Sequence, residues 1–217
     1  MPQRLLELQP SVLAGGRDWF AMRAFLDLLF PAQCVGCNLI GSGLCVSCQP
    51  PDEARVHTWL STLRVTGLGE YSSVLRRAVL AVKDGRRDVA TELGHRLAAM
   101  VPRGASLVPV TTTAARRRTR GFDGVEAMAR VAATDTGVSA LVALRRSTTD
   151  AQRGRSRHDR LAARGRFLCD ATLVSGRSVI LIDDVCTTGA TLEDCAATIR
   201  AAGGTVEAAL VVAIAKM

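Results

Sequence analysis

Hydrophobic residues along this chain follow two alternating patterns. Stretches in which apolar residues recur every three or four positions predict helices, and short β-branched runs bounded by turn residues predict strands. Because strands and helices alternate after residue 74, the chain predicts an α/β fold, a mostly parallel sheet flanked by helices. Predicted helices cover residues 74–82, 89–100, 125–133 and 190–202, and predicted strands cover residues 106–110, 139–144, 179–182 and 205–215.

The strand-loop-helix unit after residue 178 carries the most specific chemistry. Two adjacent carboxylates, Asp183 and Asp184, follow the predicted strand 179–182 and are expected just outside its end. The next loop has small side chains, which let a phosphate approach the backbone N–H groups that are unpaired at a helix start. Carboxylates accept hydrogen bonds from hydroxyls, so the unit predicts a site for a phosphorylated ribose. The predicted phosphate-binding residues are Thr187, Thr188, Gly189, Ala190 and Thr191.

Seven cysteines divide into two groups. Four form two Cys-x2-Cys pairs near the N-terminus, separated by seven residues that include Gly41 and Gly43. Two such pairs can supply the thiolates of a tetrahedral structural zinc site, and disulfides or iron are the alternatives. Cys169, Cys186 and Cys195 are scattered and are predicted to be small buried or loop residues. The predicted zinc ligands are Cys34, Cys37, Cys45 and Cys48.

These features divide the chain into three predicted parts. Residues 1–30 form an N-terminal helical leader in which residues 23–30 are amphipathic, and residues 31–51 form the four-cysteine zinc ribbon. Residues 52–217 form the α/β domain. The paired Pro50 and Pro51 mark the boundary between the last two parts, because proline interrupts regular structure.

Composition adds limits on location. The chain has 217 residues with 48% hydrophobic content, enough for one cored domain and a small appendage. Its longest apolar run, residues 208–215, is much shorter than the roughly 20 residues that span a bilayer. Charged residues such as Arg17, Asp18 and Arg23 interrupt any apolar core of a signal peptide. We therefore expect no membrane span and a cytoplasmic location.

Positive charge is concentrated between residues 116 and 166. This window holds thirteen arginines and five acidic residues, a surplus of eight that equals the net charge of the whole chain. Such a surplus attracts nucleic acid or a ligand with several phosphates, and a solvated basic loop is the alternative for its second half. The first cluster contains Arg116, Arg117, Arg118 and Arg120, and the second contains Arg153, Arg155, Arg157, Arg160, Arg164 and Arg166.

Residues 179–191 resemble the thirteen-residue phosphoribosyl pyrophosphate (PRPP) motif of type I phosphoribosyltransferases. Both of its elements, Asp-Asp and Thr-Thr-Gly-x-Thr, are present. The alternative is an ordinary strand-turn-helix in which Thr191 caps the helix and Asp194 completes a capping box. Capping accounts for Thr191 but leaves the paired aspartates and the Thr-Thr-Gly unexplained, so we favour the PRPP motif.

From Leu28 onward the chain resembles the ComF family, bacterial competence proteins that combine an N-terminal zinc ribbon with a phosphoribosyltransferase-like domain. Three positions depart from the family: Asp123 and Ala163 stand where Asn is common, and Thr111 stands where a second Pro is common. These departures concern the loop chemistry rather than the ribose-phosphate pocket. The other markers are Leu28-Leu29-Phe30-Pro31, Val82-Lys83, Val108-Pro109-Val110, Arg120-Gly121-Phe122 and Gln152.

The resemblance implies a role for each part of the site. The loop 187–191 would hold the 5′-phosphate, Asp183 and Asp184 would address the ribose hydroxyls, and Mg²⁺ would bridge ribose and pyrophosphate oxygens. The first arginine cluster would close over pyrophosphate, which makes Arg120, Asp183 and Asp184 the predicted catalytic residues. Lys83 is either a surface lysine at a helix end or a ligand contact. The three histidines, which lie outside every motif and are predicted to be structural or exposed, are His57, His95 and His158.

Three functions from different classes follow. The first is an enzyme that transfers a phosphoribosyl group to an unidentified acceptor, with a link to DNA uptake or competence. The second is a PRPP sensor without turnover, and the third is a factor that handles single-stranded DNA. Only Phe122 interleaves with the arginines of the basic window, which weakens the third because single-strand binders stack bases on aromatic side chains. A homodimer is left open, since many relatives dimerise.

Overall fold

A computed structural model describes residues 31–110, 121–146 and 167–215. The first arginine cluster, the second arginine cluster, the predicted leader 1–30 and His158 lie outside the described residues. The strands are β1 (Val56–Leu60), β2 (Leu63–Glu70), β3 (Ser106–Pro109), β4 (Leu144–Arg146), β5 (Phe167–Cys169), β6 (Ser178–Cys186) and β7 (Thr205–Ile214). The α-helices are α1 (Ser73–Lys83), α2 (Arg87–Ala98), α3 (Gly124–Thr136), α4 (Ala171–Val174) and α5 (Ala190–Ala201).

Five strands form the main sheet in the order β1-β2-β7-β6-β3. Only β1 is antiparallel to its neighbour, and the remaining pairs, β2 with β7, β7 with β6 and β6 with β3, are parallel. The sheet is therefore mixed and mostly parallel with helices on both sides, as the sequence predicts. The carboxyl ends of its parallel strands meet at one edge, which is where ligands bind in open α/β sheets.

The core lies on both faces of this sheet. Ile180 and Ile182 of β6 pack into the cluster formed with α1, α2 and α3, whereas Val179 and Leu181 pack into the cluster formed with α5. Successive side chains of a strand point to opposite faces, so a central parallel strand must be apolar in every position. This requirement explains the uninterrupted apolar run that precedes Asp183. No helix in the described ranges is long and apolar enough to cross a bilayer.

The predicted strand 139–144 is wrong over most of its length. The backbone there is linked to β3 by two hydrogen bonds, both at Leu107. Leu107 N–H donates to Ser139 O at 2.8 Å, and Leu141 N–H donates to Leu107 O at 2.7 Å. A turn closed by Ala143 N–H and Leu141 O at 2.9 Å then takes the chain away from the sheet edge. Pairing resumes only at β4, which forms a separate two-stranded sheet with β5.

Candidate functional site

The two aspartates lie inside β6, near its carboxyl end. The sequence places them just outside the strand, which is wrong because β7 continues alongside and pairs Asp183 with Val211 and Cys186 with Ile214. Continuation of the strand fixes the backbone of both aspartates before the loop begins. On the other side of β6, Val110 N–H donates to Ile182 O at 2.8 Å, so the end of β3 also reaches this edge.

Adjacent positions on a strand give the two carboxylates different surroundings. Asp183 is 9% exposed, and its Oδ1 accepts a hydrogen bond from the backbone N–H of Asp184 at 2.8 Å. Asp184 is less buried, and its Oδ2 lies 3.0 Å from Lys83 Nζ. Burial, followed by the charge of Asp184, raises the pKa of Asp183 to about 8, against smaller lowering effects of the Asp184 N–H, Lys83 and Arg146. Ionisation of Asp183 is therefore unfavourable in the ligand-free protein, and a cation or hydroxyl donors beside the pair would make it more favourable.

The raised pKa of Asp183 gives a first testable prediction. Because the folded pKa of Asp183 lies above the unfolded value of about 3.9, the unfolded state releases its proton first as pH rises, and stability falls between about pH 4 and pH 8. Asp183→Asn removes the charge and keeps an oxygen for the Asp184 N–H. We expect it to raise the free energy of unfolding at pH 8 by a few kcal/mol, with little effect near pH 4.

Thermal unfolding of the ligand-free protein across this pH range measures the effect, since 1 kcal/mol shifts Tm by about 2 to 4 °C at this size. Glu53→Gln, which alters an exposed carboxylate, is the control. An Asp183→Asn variant that is less stable than the wild type at pH 8 would contradict the prediction.

The loop after β6 is shaped for close approach to its backbone. Gly189 is the residue before α5 and has φ 77°, and a Cβ at this position would lie 2.3 Å from a methyl carbon of Leu60. Both the conformation and the contact therefore require glycine. Thr187, Thr188 and Ala190 are exposed around it. The first N–H groups of α5 have no partners within the helix and point toward this loop, as an anion site needs.

Helix capping by Thr191 is not observed. The N-cap position of α5 is Gly189, whose carbonyl accepts the first helical bond from Glu193 N–H at 3.0 Å, and Thr191 is the second residue of the helix. Ala190 N–H reaches Thr188 Oγ1 only at 3.5 Å, too long for a strong bond. Helix capping therefore does not account for the threonines of this loop.

Lys83 and Arg146 are brought to the acidic pair from other elements. Lys83 is the last residue of α1, and its ion pair with Asp184 places it beside the acidic pair. Arg146 ends β4 and stacks on Phe167, with its guanidinium carbon 5.3 Å from the ring centroid. Its charge helps to lower the pKa of Asp183. Sequence reasoning counts Arg146 only within the basic window and misses its place beside the site.

The residues that follow the first arginine cluster are tied to α2 and α3. Arg87 stacks on Phe122, with its guanidinium carbon 5.0 Å from the ring centroid. Asp123 caps α3 by accepting hydrogen bonds from Val125 N–H and Glu126 N–H, each at 3.1 Å. The family departure at Asp123 is therefore compatible with a helix cap, where Asp serves as well as Asn.

The four N-terminal cysteines form a second candidate site, a metal centre. Their sulfurs all lie within 4.8 Å of one another, and the Cys37 and Cys45 sulfurs are 3.6 Å apart. Two sulfurs bound at about 2.3 Å to a tetrahedral ion lie roughly 3.8 Å apart, whereas disulfide sulfurs lie about 2.05 Å apart. The donor set and its spacing therefore fit zinc and not a disulfide.

Backbone geometry supports thiolates at this centre. Cys34 Sγ accepts hydrogen bonds from Gly36 N–H at 3.3 Å and from Cys45 N–H at 3.4 Å. Although burial acts to raise it, these backbone groups and that of Cys37 lower the pKa of Cys34 to about 6. The crowded neighbouring thiols, Cys37 first, raise the pKa of Cys48 to about 12. Four sulfurs so close together can all be thiolates only around a cation.

Two of the three remaining cysteines are buried as predicted, and the two histidines that the structure describes are exposed. Cys186 and Cys195 are buried in the core on the α5 side of the sheet. His57 Nδ1 lies 2.9 Å from Thr66 Oγ1, and His95 Nδ1 lies 2.6 Å from Asp135 Oδ2. Both histidine side chains are exposed. Neither histidine contacts the acidic pair through these bonds.

Comparison with solved structures finds likeness at low sequence identity. The structure described as the allosteric regulatory enzyme of purine biosynthesis matches with TM-score 0.44 and 18% identity over 58% of this chain. The match covers 26% of that enzyme, so this chain spans about a quarter of its length. Orotate phosphoribosyltransferase from Aeropyrum pernix matches with TM-score 0.36 and 21% identity, over 73% of this chain and 75% of that enzyme. No family profile matches the chain, and no curated protein matches it in sequence.

Proposed function

We propose that this protein binds PRPP together with Mg²⁺ and transfers the phosphoribosyl group to an acceptor, releasing pyrophosphate. The observation that carries the proposal is the direct succession, at the carboxyl edge of the sheet, of two carboxylates on β6, a small-residue loop and the N-terminus of α5. A hydroxyl-binding group next to a phosphate-binding group matches the two halves of a ribose 5-phosphate.

In this proposal the 5′-phosphate binds in the loop before α5. Its oxygens accept hydrogen bonds from the backbone N–H groups of the loop, and the positive end of the helix dipole favours the negative charge. The conformation of this loop requires glycine at position 189, because a side chain there would clash with Leu60. The binding residues of the loop are Thr187, Thr188, Gly189, Ala190 and Thr191.

Asp183 and Asp184 accept hydrogen bonds from the two ribose hydroxyls. Their chemistry also suits Mg²⁺, which prefers carboxylate and phosphate oxygens and water, and when bound the ion neutralises pyrophosphate oxygens. Either partner offsets the burial of Asp183 and its repulsion from Asp184, which together raise the pKa of Asp183. Because the ligand makes ionisation of Asp183 less costly, this effect contributes to the free energy of ligand binding.

During transfer, the bond between the anomeric carbon and the pyrophosphate oxygen breaks and its electron pair leaves with pyrophosphate. The acceptor supplies the electron pair of the new bond, so no nucleophilic side chain is needed. Positive groups that meet the leaving group stabilise the transition state. Lys83 and Arg146 lie at this edge. The first arginine cluster, in which we propose Arg120 as the catalytic arginine, follows the end of β3 and would close over pyrophosphate; it contains Arg116, Arg117, Arg118 and Arg120.

We further propose membership of the ComF family and, with it, a link to DNA uptake. This rests on the sequence markers together with the zinc-compatible cysteine cluster. The division of the chain at residues 30 and 51, the cytoplasmic location, the homodimer and any single-stranded DNA partner stay predictions.

A pyrophosphate-release assay with PRPP, Mg²⁺ and a panel of nucleobases, amines and carboxylated acceptors tests the transferase. We expect release that depends on one acceptor and is lost in the Asp183→Asn/Asp184→Asn variant. PRPP binding without acceptor-dependent pyrophosphate release would contradict the transferase and favour a PRPP sensor without turnover. Release that survives in the variant would come from elsewhere and would contradict the site.

A further inference from the structure

The zinc ribbon is held to α1 by an arginine. Arg77 Nε donates to Val35 O at 2.7 Å, and its Nη2 donates to Gly36 O at 3.1 Å. Both carbonyls lie between Cys34 and Cys37, inside the first cysteine pair. Arg77 therefore bonds to backbone whose conformation depends on the metal centre.

A second arginine holds the turn that follows α1. Arg86 Nη2 donates to Gln33 O at 2.7 Å, and its Nε donates to Asp88 Oδ1 at 2.9 Å. Its backbone N–H closes the end of α1 by donating to Ala81 O at 2.9 Å. Lys83 lies between the two arginines in the chain, so the ribbon fixes the backbone on both sides of the lysine that contacts Asp184.

Packing adds to these hydrogen bonds. Cys34 and Leu44 are fully buried in the same apolar cluster as Val79 and Val82 of α1. At Gly43, an added Cβ would lie 2.6 Å from Asp88 Oδ2 and 2.8 Å from Val89 N, so the second half of the ribbon lies directly on the start of α2. A close-packed contact of this kind transmits a change of conformation instead of absorbing it.

We propose that the metal-loaded ribbon positions Lys83 and thereby sets the affinity of the acidic site for PRPP, with Arg77 and Arg86 as the positioning residues. This inference rests on the proposed function. PRPP brings further negative charge to the edge where Lys83 neutralises Asp184, so a displaced Lys83 weakens binding. Loss of metal releases the carbonyls of Gln33, Val35 and Gly36 and frees the end of α1. Because coupling between two sites is reciprocal, PRPP also tightens metal binding.

A double-mutant cycle tests the role of the two arginines. Calorimetry compares PRPP affinity, with Mg²⁺, of the wild type, Arg77→Ala/Arg86→Ala, Lys83→Ala and the triple variant. Arg76→Ala/Arg103→Ala removes the same charge from two exposed arginines whose side chains make no bond with the described residues, and it is the control. We expect the double variant to lose about 5- to 150-fold in affinity, the usual range of coupling between sites, while the control is unchanged.

In the Lys83→Ala background the same two arginine substitutions should have no further effect. An equal loss in both backgrounds would overturn the inference, because the arginines would then act independently of Lys83. Wild-type protein that fails to bind PRPP would instead overturn the proposed function, so the two failures are distinguishable.

Zinc affinity gives a readout that needs no arginine variant. Equilibrium competition for zinc with a chromogenic chelator is measured with and without saturating PRPP and Mg²⁺. We expect tighter zinc binding with PRPP in the wild type, and no effect of PRPP on zinc affinity in Lys83→Ala. Equal zinc affinity of the wild type with and without bound PRPP would overturn the coupling, even if the arginine variant cannot be purified.

Discussion

Replacing Asp183 and Asp184 by alanine is expected to abolish PRPP binding while the protein stays folded. Each lost hydrogen bond between a charged acceptor and a hydroxyl costs about 1.5 to 3 kcal/mol, so the pair corresponds to a loss of roughly 10² to 10⁴ in affinity. Folding should survive, because ionisation of the buried Asp183 is unfavourable in the ligand-free protein and the substitution removes that cost. Calorimetric titration with PRPP and Mg²⁺ measures the loss, and far-UV circular dichroism checks the fold.

Glu53→Ala controls for the removal of negative charge, since Glu53 is exposed and lies on the short helix Asp52–Ala54 far along the chain from β6. Asp183→Asn/Asp184→Asn keeps the shape of both side chains and should bind PRPP nearly as poorly. A folded alanine variant with wild-type PRPP affinity would refute the assignment of the acidic pair.

The second large effect concerns the metal. We expect one zinc ion per chain, and we expect Cys45→Ser or complete chelation to unfold the segment 31–51. Structural zinc contributes on the order of 10 kcal/mol to the folding of small metal modules, and so few apolar residues cannot offset the ordering entropy of this segment. Because Cys34 and Leu44 belong to the core cluster of α1 and α2, the global Tm should fall as well.

Metal analysis of anaerobically purified protein, together with calorimetric unfolding, measures both expectations. Cys169→Ser is the matched control, since Cys169 lies on β5 outside the cysteine cluster. Purified protein without zinc, or with a disulfide between the cysteine pairs, would contradict the metal centre.

The sequence was sufficient for the elements with strong local signals. Apolar residues at Leu75, Ala78, Val79 and Val82 have the spacing of a helix face, and all four are buried in α1. The apolar run before Asp183 predicts the buried strand, although its true end at Cys186 depends on pairing with β7. The Cys-x2-Cys spacing alone identifies the cysteine cluster.

The hairpin of β1 and β2 could not be read from the sequence because glycines interrupt its pattern. Gly67 and Gly69 lie in β2, and glycine weakens the strand signal. The reason for them is tertiary: a Cβ on Gly67 would lie 3.0 Å from Ile214 Cγ1, and one on Gly69 would lie 2.9 Å from Leu75 Cδ1. Contacts of this kind exist only after the sheet and α1 have assembled.

The same limit applies to the site. The sequence predicts the loop and the acidic pair, which are continuous in the chain. The contact of Lys83 with Asp184 and the place of Arg146 depend on how α1 and the two-stranded sheet of β4 and β5 are arranged around the main sheet, which no local pattern encodes.

Calorimetric titration of the zinc-loaded wild-type protein with PRPP and Mg²⁺ tests the PRPP site most directly. We expect one saturable site per chain, competition by ribose 5-phosphate through the loop before α5, and loss of both signals in the Asp183→Asn/Asp184→Asn variant. Absence of binding by the folded, zinc-loaded wild type at about 1 mM PRPP, equivalent to an affinity weaker than about −4 kcal/mol, would contradict a PRPP site in this protein.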